Sequence, residues 1–531
     1  MTRTGPARVR HGAVATIACL ALLAGLAPAA SADEPTASNA AVARLRPTTP
    51  QLIDDALTSG RISSAQATLY TAWALVRPDA VPVEFVSTTP WEGTLAMLQV
   101  KRELARIGAA RMTPALSDAA ARINTTCPGS SGSLPNTKST NHFYLKYRSS
   151  AIGGGLTIGQ YAAALESTWK TEIGTFGWAR PPKDPVNTPP GGRYLVRLDN
   201  LSPSLYGYVT GTYFVGNNPA TGWNDKDGAA SCMVLNQDFS GFPSGPTDSL
   251  RATVAHEFNH SIQFGYGALT GFGKVKKVFV EGGASWMEDE VFDGADDNYY
   301  YLWPTFTDPM AQYDPSFPYP YWVVFRALTE RYGTGVKNGG ENVMQTFWEQ
   351  ISKGASTNLA ALGQALRQEG TTLGKAYHDA AIALRFNVDC SVTARKWCLE
   401  EGPNYVMAAG ATPNKANVTT IGDPAYAGSV FNDYALNWIG IPANQGSFDL
   451  TVNATAGGGK LRTSVVCRAG SLLTTLAPTQ VAAGSMNAKF SALDPTGCDA
   501  VVAVITNENQ TRNSPKDKTN ATYDLTTTPS M

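Results

Sequence analysis

The sequence predicts an α+β protein of several domains. Helical spacing of apolar residues recurs between residues 33 and 125 and again from residue 277 to about 390, whereas residues 141–236 contain alternating segments typical of strands. From about residue 400 the chain consists of short Thr-, Val-, Gly- and Asn-rich runs, which favours a C-terminal β-sandwich. With 531 residues, the chain is long enough for about three domains.

The first 32 residues have the pattern of a secretory signal peptide. Arg3, Arg8 and Arg10 precede an apolar stretch at residues 13–26, and the A-S-A at residues 30–32 fits a cleavage site. We therefore expect a secreted, extracellular protein with no membrane attachment after signal removal. Removal takes three arginines and no acidic residue, which changes the formal charge from −1 to −4. No basic stripe remains that would favour nucleic acid as a partner.

The cysteines agree with export. Six remain after the signal peptide, an even number that suits disulfides in an oxidising compartment, and none forms a C-x-x-C pair. We predict that Cys390 pairs with Cys398, Cys467 with Cys498, and Cys127 with Cys232, the last bridge bracing the central domain.

Residues 33–125 form the first predicted domain. Helical patterns are clearest at residues 50–57 and 64–73, which Gly60 separates. This helical N-terminal segment fits an inhibitory propeptide that is later removed, and it fits a permanent helical subdomain equally well.

Residues 126–395 form the central predicted domain. Its first half alternates like strands at residues 143–147, 193–198, 206–215 and 231–235, around a helical pattern at residues 158–178. The second half, from residue 277, is mostly helical. Residues 396–531 are assigned to the β-sandwich, which serves as an accessory domain of open role.

The centre of the chain contains the pentad His256-Glu257-Phe258-Asn259-His260 in a protein with only five histidines. On a helix, residues four apart are separated by about 40° of rotation and about 6 Å of rise, so both imidazoles can reach one tetrahedral metal. Capping residues at 247–249 and apolar residues at fourfold spacing predict a helix that ends near Gly265.

A second predicted helix supplies a third ligand. Glu281 lies near its start, and the small residues Ala284 and Ser285 would allow it to approach the first helix. Two His and one Glu leave a fourth position for water, as in catalytic zinc sites. Glu288 lies about two turns further along the same face. It is either the competing ligand or the partner of a ligating His.

This H-E-x-x-H followed by E-x-x-A resembles the gluzincin metallopeptidases. The runs 256–266 and 281–290, with HEF-x-H-x-IQFGY and W-M-E-D, are also similar to a group of secreted bacterial metalloproteases. The resemblance implies a zincin-like fold with a mixed sheet, an active-site helix and a helical second lobe. It also implies one zinc ion on His256, His260 and Glu281, with Glu257 as general base.

The resemblance is incomplete in two respects. The chain has no G-A-M-E-N segment, which disfavours the aminopeptidase subgroup, and the oxyanion-binding His and Tyr of thermolysin relatives have no aligned counterparts. In zincins the last strand before the active helix is a sheet edge that binds substrate backbone. The resemblance gives that part to Cys232–Asn236, with an interior strand as the alternative.

The predicted function is therefore a secreted zinc peptidase that hydrolyses the peptide bonds of a protein or peptide substrate; endo action is expected, with exo action as the open alternative. The alternative is a catalytically inactive, zincin-like secreted binding or adhesion protein. Candidate oxyanion donors are Tyr299, Tyr300, Tyr301, Tyr313, Tyr319, Tyr321 and, as a second choice against an ordinary surface histidine, His378. An acidic run indicates either a calcium site or a solvated face: Asp289, Glu290, Asp293, Asp296 and Asp297. Substrate preference and oligomeric state stay open.

Overall fold

Helices and strands are mixed throughout the structure, a computed structural model. It describes residues 46–269, 275–302, 318–333, 342–390, 397–431, 434–456, 459–484, 486–509 and 520–530. The mixed α+β class and the β-rich C-terminal region are confirmed. The predicted signal peptide and Tyr313 lie outside these ranges. Within them, no helix combines the length and the apolar composition needed to cross a bilayer.

The N-terminal segment is helical, as predicted. It contains α1 (Thr49–Thr58), α2 (Ser64–Val76), α3 (Thr94–Ile107) and α4 (Pro114–Ile123). Capping boxes start the first two helices: the side chains of Thr48 and Ser63 accept hydrogen bonds from the backbone N–H groups of Gln51 and Gln66, whose side chains bond back to the cap residues.

The central part begins with a five-stranded sheet. Its strands are β1 (Asn136–Ser139), β2 (Phe143–Tyr147), β3 (Tyr194–Asp199), β4 (Gly207–Gly216) and β5 (Gly228–Asn236), in the order β1-β2-β3-β5-β4. Strands β2, β3 and β5 are parallel, whereas β4 runs antiparallel to β5. The prediction that Cys232–Asn236 forms the sheet edge is therefore wrong. The hairpin folds β4 back along the outer side of β5 and makes β4 the edge.

Both faces of this sheet are buried at strands β4 and β5. One face carries Val209 and Met233 into a core shared with α5 (Ile158–Trp169) and α6 (Gly245–Gly265). The other face carries Tyr208 and Val234 into a second core with residues of α2, α3 and α4. Because successive strand residues point to opposite faces, β4 and β5 contribute to both cores. The N-terminal helices are thus packed directly on the sheet.

The helical half follows the sheet. It contains α7 (Lys277–Val291), α8 (Trp322–Tyr332), α9 (Asn342–Ser352), α10 (Asn358–Gln368), α11 (Leu373–Phe386) and α12 (Gly402–Ala409). Close approach of α7 to α8 depends on Gly282, where an added Cβ would lie 3.1 Å from the Phe325 ring. The spacing of apolar residues predicted α8 to α11 because each of these helices buries one face in the same core.

Two sheets form the C-terminal part, and their described strand pairs are antiparallel except for the short parallel pair of residues 416–417 with residues 439–440. The first contains β6 (Ala416–Asn417), β8 (Leu436–Ile441), β10 (Lys460–Ala469), β11 (Leu472–Thr475), β12 (Gln480–Ala483) and β14 (Ala500–Asn507). The second contains β7 (Tyr426–Phe431), β9 (Phe448–Ala456), β13 (Ala488–Leu493) and β15 (Asn520–Pro529). Residues of both sheets share one apolar core, as in a sandwich. The preceding residues Trp397 and Tyr405 pack instead into the central core.

All three predicted disulfides are present: Cys127–Cys232, Cys390–Cys398 and Cys467–Cys498. The first joins the chain just after α4 to strand β5, across 105 residues of sequence. It therefore ties the connection between the N-terminal helices and the sheet to the sheet interior.

We predict that removal of the Cys127–Cys232 bridge destabilises the protein more than removal of Cys390–Cys398. The bridges close segments of 105 and 8 residues, for which chain entropy gives about 5 and about 2.5 kcal/mol. Urea unfolding of the two double Cys→Ala variants under non-reducing conditions measures the difference. Equal losses, or the reverse order, would contradict this explanation.

Candidate metal centre

Helix α6 carries the pentad in the interior of the protein. Pro246 lies in its first turn, where the missing N–H has no helical acceptor, and the helix ends at Gly265, as predicted. Val254, Phe258 and Ile262 are buried in the central core. This apolar stripe fixes the rotation of the helix and leaves the side chains of His256, Glu257 and His260 on a different face, where they are also completely buried.

Helix α7 brings Glu281 to the two histidines. The Nε2 atoms of His256 and His260 are 3.1 Å apart. Oε2 of Glu281 lies 3.2 Å from Nε2 of His256 and 3.5 Å from Nε2 of His260. Two nitrogens bound to one tetrahedral zinc ion would be about 3.3 Å apart. The three residues therefore present their ligand atoms at the separation that one metal ion requires.

The remaining ring nitrogens of the histidines are held by acceptors. Nδ1 of His256 donates to Oε1 of Glu288 at 2.7 Å, and Nδ1 of His260 donates to the amide oxygen of Gln263 at 2.9 Å. The Gln263 amide is itself oriented, because its nitrogen donates to Asn259 at 2.8 Å. With a metal bound, each Nδ1 would carry the ring proton, and each Nε2 would offer its lone pair to the metal. Glu288 lies on the side of His256 opposite to Glu281 and is a partner of this histidine.

The electrostatics of the centre favour a cation. Burial alone would raise the pKa of Glu281, but His260 and His256 lower it to about 2, so this carboxylate stays ionised. Burial alone would lower the pKa of His256, yet Glu92, Glu281 and Glu288 together raise it well above its ordinary value. Among the described residues, Oε1 of Glu281 has no hydrogen-bond partner. A divalent metal ion at this point would bind the ionised Glu281 carboxylate and replace the proton on Nε2 of His256.

Glu257 lies beside the three ligand atoms. Its Oε2 accepts a hydrogen bond from the Thr94 hydroxyl at 2.8 Å, while its Oε1 has no partner in the described part of the chain. Burial raises the pKa of Glu257, against the opposing effect of the two histidines. A carboxylate with a raised pKa next to a metal position is suited to accept and return a proton.

Glu92 also belongs to the centre and was not predicted. A carboxylate oxygen of Glu92, a ring nitrogen of His256 and a carboxylate oxygen of Glu257 all lie within 4.8 Å of one another. Burial raises the pKa of Glu92 well above its ordinary value; His256 opposes this rise, and Glu257 adds to it. Glu92 and Thr94 come from the N-terminal segment, more than 160 positions before the pentad, and no local sequence signal links them to it.

One of the candidate oxyanion donors lies at the centre. The ring of Tyr319 is 6.3 Å from the His256 ring and stacks on Tyr301 at 4.7 Å. Burial raises the pKa of Tyr319 well above its ordinary value, so its hydroxyl stays protonated and can donate. Tyr299 packs instead against Trp322 and Tyr405.

His378 is neither an oxyanion donor nor a surface residue. It is buried where α11 meets the first C-terminal sheet, with Nδ1 2.8 Å from the Thr506 hydroxyl and Nε2 2.9 Å from the Ser464 hydroxyl. Both ring nitrogens are therefore engaged by the C-terminal part. Helical spacing placed His378 on a face of α11 but did not show that a distant sheet covers that face.

The acidic run is divided by the fold. Asp297 is buried and accepts a hydrogen bond from Ser249, whereas Asp293 is exposed. Carboxylate oxygens of Asp289, Asp293 and Glu401 lie within 4.8 Å of one another. Arg326 binds Asp289 at 3.1 Å and already supplies positive charge there. This cluster is the geometric candidate for the calcium site anticipated from the sequence.

No protein-family model, curated protein or solved structure matches this chain.

We predict that Glu288→Gln weakens metal binding. The substitution removes the carboxylate that fixes the His256 tautomer, and such changes typically lower metal affinity about 10–100-fold. Competition between the protein and a chromophoric chelator measures the affinity. Asp248→Asn is the control, because Asp248 lies on the helix of His256 but pairs with Arg251 at the surface. Equal affinities for both variants would contradict a role of Glu288 in holding His256.

We predict that His378 makes the fold sensitive to acid. Burial lowers its pKa from 6.5 to about 3, so the folded state favours the neutral ring. The stability it contributes is complete above pH 6.5 and is lost as the pH falls from 6.5 towards 3, by at most about 1.4 kcal/mol per pH unit. Urea unfolding between pH 7.5 and 4.5 should show a steeper decline for the natural protein than for His378→Gln. Parallel declines would refute this.

Proposed function

We propose that the protein is a secreted zinc-dependent peptidase of the gluzincin type. The observation that carries this proposal is the convergence of two Nε2 atoms and one carboxylate oxygen, from His256, His260 and Glu281, with Glu257 beside them. Two imidazoles and one carboxylate are a donor set typical of catalytic zinc, which keeps one position open for water.

The orientation of the ligands supports the same assignment. Both histidines offer Nε2 while an acceptor holds Nδ1, the arrangement found around zinc-binding histidines. Both acceptors come from the helices that carry the ligands, since Gln263 lies on α6 and Glu288 on α7. The same two helices therefore provide the ligands and fix their orientation.

The chemistry follows from these positions. Zinc bound here would lower the pKa of a coordinated water towards ~7 and polarise the carbonyl of the scissile bond. Glu257 would take one proton from the attacking water as the water oxygen bonds to the carbonyl carbon. It would then deliver the proton to the amine nitrogen as the C–N bond breaks, which yields one carboxylic acid and one amine. The Oε1 atom of Glu257 without a hydrogen-bond partner is the atom that supports this role.

Tyr319 is the residue best placed to stabilise the oxyanion. Its ring lies against His256, and its hydroxyl is protonated across the physiological pH range because burial raises its pKa. A protonated phenol donates to the negative charge that develops on the carbonyl oxygen. We therefore assign Tyr319 this role ahead of the other tyrosines.

The cellular setting and the partners fit a secreted peptidase. The three disulfides suit an oxidising compartment, and the first 32 residues have the pattern of an export signal. The near balance of 42 basic and 43 acidic residues argues against nucleic acid as substrate. A protein or peptide is the substrate class that the resemblance to gluzincins implies.

One observation favours the alternative of an inactive binding or adhesion protein. The side chains of His256, Glu257, His260 and Glu281 are all 0% exposed, so no substrate reaches them in this arrangement. A chain that binds zinc but hydrolyses no peptide, even after displacement of the N-terminal segment, would support this alternative.

We predict that Glu257→Gln abolishes hydrolysis and leaves zinc binding intact. The amide keeps the size of the side chain but cannot accept a proton, and loss of a general base typically lowers turnover about 10²–10⁴-fold. A quenched fluorescent peptide library and zinc analysis of the same samples provide the measurements. Chelator should remove the natural activity, and Asp248→Asn should retain it. Full activity of Glu257→Gln would rule out this mechanism.

A further inference from the structure

We propose that residues Trp91–Thr94 form an autoinhibitory plug, in which the Glu92 carboxylate is a fourth metal ligand at the position that the catalytic water needs. This inference rests on the proposed function, because it concerns the same metal centre. It goes beyond that function by assigning Glu92 to the centre and by explaining why the site is closed.

The carboxylate of Glu92 lies at the metal centre. Its carboxylate reaches both His256 and Glu257, and the residue is only 5% exposed. Within the described residues, its Oε2 atom has no N–H or hydroxyl donor, and its carboxyl group faces that of Glu257. Two buried carboxyl groups in contact must share a proton or bind a cation. A metal ion on His256, His260 and Glu281 would take the place of that proton.

The plug also occupies the proposed general base, Glu257. The Thr94 hydroxyl donates to Oε2 of Glu257 at 2.8 Å and accepts from the backbone N–H of Val209 at 2.8 Å. Thr94 thereby connects the edge strand β4 to Glu257. With Glu92 on one side and Thr94 on the other, Glu257 has no access to a substrate.

The backbone of the plug lies along the sheet edge. Trp91 N–H donates to Ser204 O at 2.9 Å, and Tyr206 N–H donates to Trp91 O at 3.1 Å. The N–H of Gly93 then donates to the carbonyl oxygen of Gly207, the first residue of β4, at 2.9 Å. An extended substrate would use the same edge groups for its own backbone hydrogen bonds.

Close packing and polar contacts also hold the plug in place. The position of Gly93 accepts no side chain, because an added Cβ would lie 2.9 Å from Gly207 O. Lys101, on α3, donates to the Thr210 hydroxyl at 2.6 Å and is anchored to the same edge strand. The plug also contacts the proposed oxyanion donor, since the backbone N–H of Glu92 donates to the Tyr319 hydroxyl oxygen. The plug thus contacts the base, the sheet edge and Tyr319 together.

Release of the plug by proteolysis is compatible with the disulfides. Residues 124–126 are exposed and lie between the end of α4 and Cys127, which is bridged to Cys232. A cut in these residues would separate the N-terminal segment from the remaining chain without breaking a disulfide.

Cobalt substitution of the full chain tests the proposal. Water bound to a catalytic metal ionises near pH ~7, so a centre with an open position should change its visible spectrum around that pH. We expect no such transition in the natural chain, and a transition with a midpoint near 7 in Glu92→Ala. Acetohydroxamate should bind Glu92→Ala at least about 10-fold more tightly, because it no longer competes with a carboxylate.

Matched variants make the test specific. Glu84→Gln removes an exposed carboxylate from the same segment and should behave as the natural chain. Glu92→Gln keeps the size of the side chain and should show the same opening as Glu92→Ala, even if the smaller residue prevents folding.

The outcomes separate this inference from the proposed function. The plug is refuted if the natural chain and both Glu92 variants bind cobalt with the same pH transition and the same affinity for acetohydroxamate. If the natural chain binds cobalt no better than His256→Ala, the metal centre itself fails, and the plug fails with it.

Discussion

The arrangement depends on the burial of four carboxyl groups around two imidazoles. Glu92, Glu257, Glu281 and Glu288 surround His256, and none of these side chains is more than 5% exposed. Carboxylates in a low-dielectric interior must be protonated, hydrogen-bonded or bound to a cation. A hydrogen bond with His256 holds Glu288 in place. Glu281, Glu257 and Glu92 each have one carboxylate oxygen without a partner among the described residues, and we infer that a cation binds near these oxygens.

Three separate parts of the chain contribute to this one charge cluster. Helices α6 and α7 supply the ligands and their orienting partners, and the N-terminal segment supplies the residues that cover them. The N-terminal helices also bury the second face of the sheet through Tyr208 and Val234. Because of this packing, closure of the centre is coupled to the fold of the whole first half of the protein.

The sequence predicted the features that depend on neighbouring residues. The pentad and the apolar stripe lie on one helix, whose geometry sets both histidines on one face, and Glu281 follows His256 by only 25 positions on the next helix. The three disulfides were also predicted. The edge position of β4, the burial of His378 and the insertion of Glu92 depend on pairings across as many as 163 positions. Local patterns report which face a residue occupies but not what covers that face.

Anomalous diffraction at the zinc absorption edge, from crystals of the full chain, tests the central claim most directly. We predict a single strong peak in the anomalous difference map, bounded by Nε2 of His256, Nε2 of His260 and a carboxylate oxygen of Glu281. A well-ordered centre with no peak there, or a peak on a different set of side chains, would contradict it.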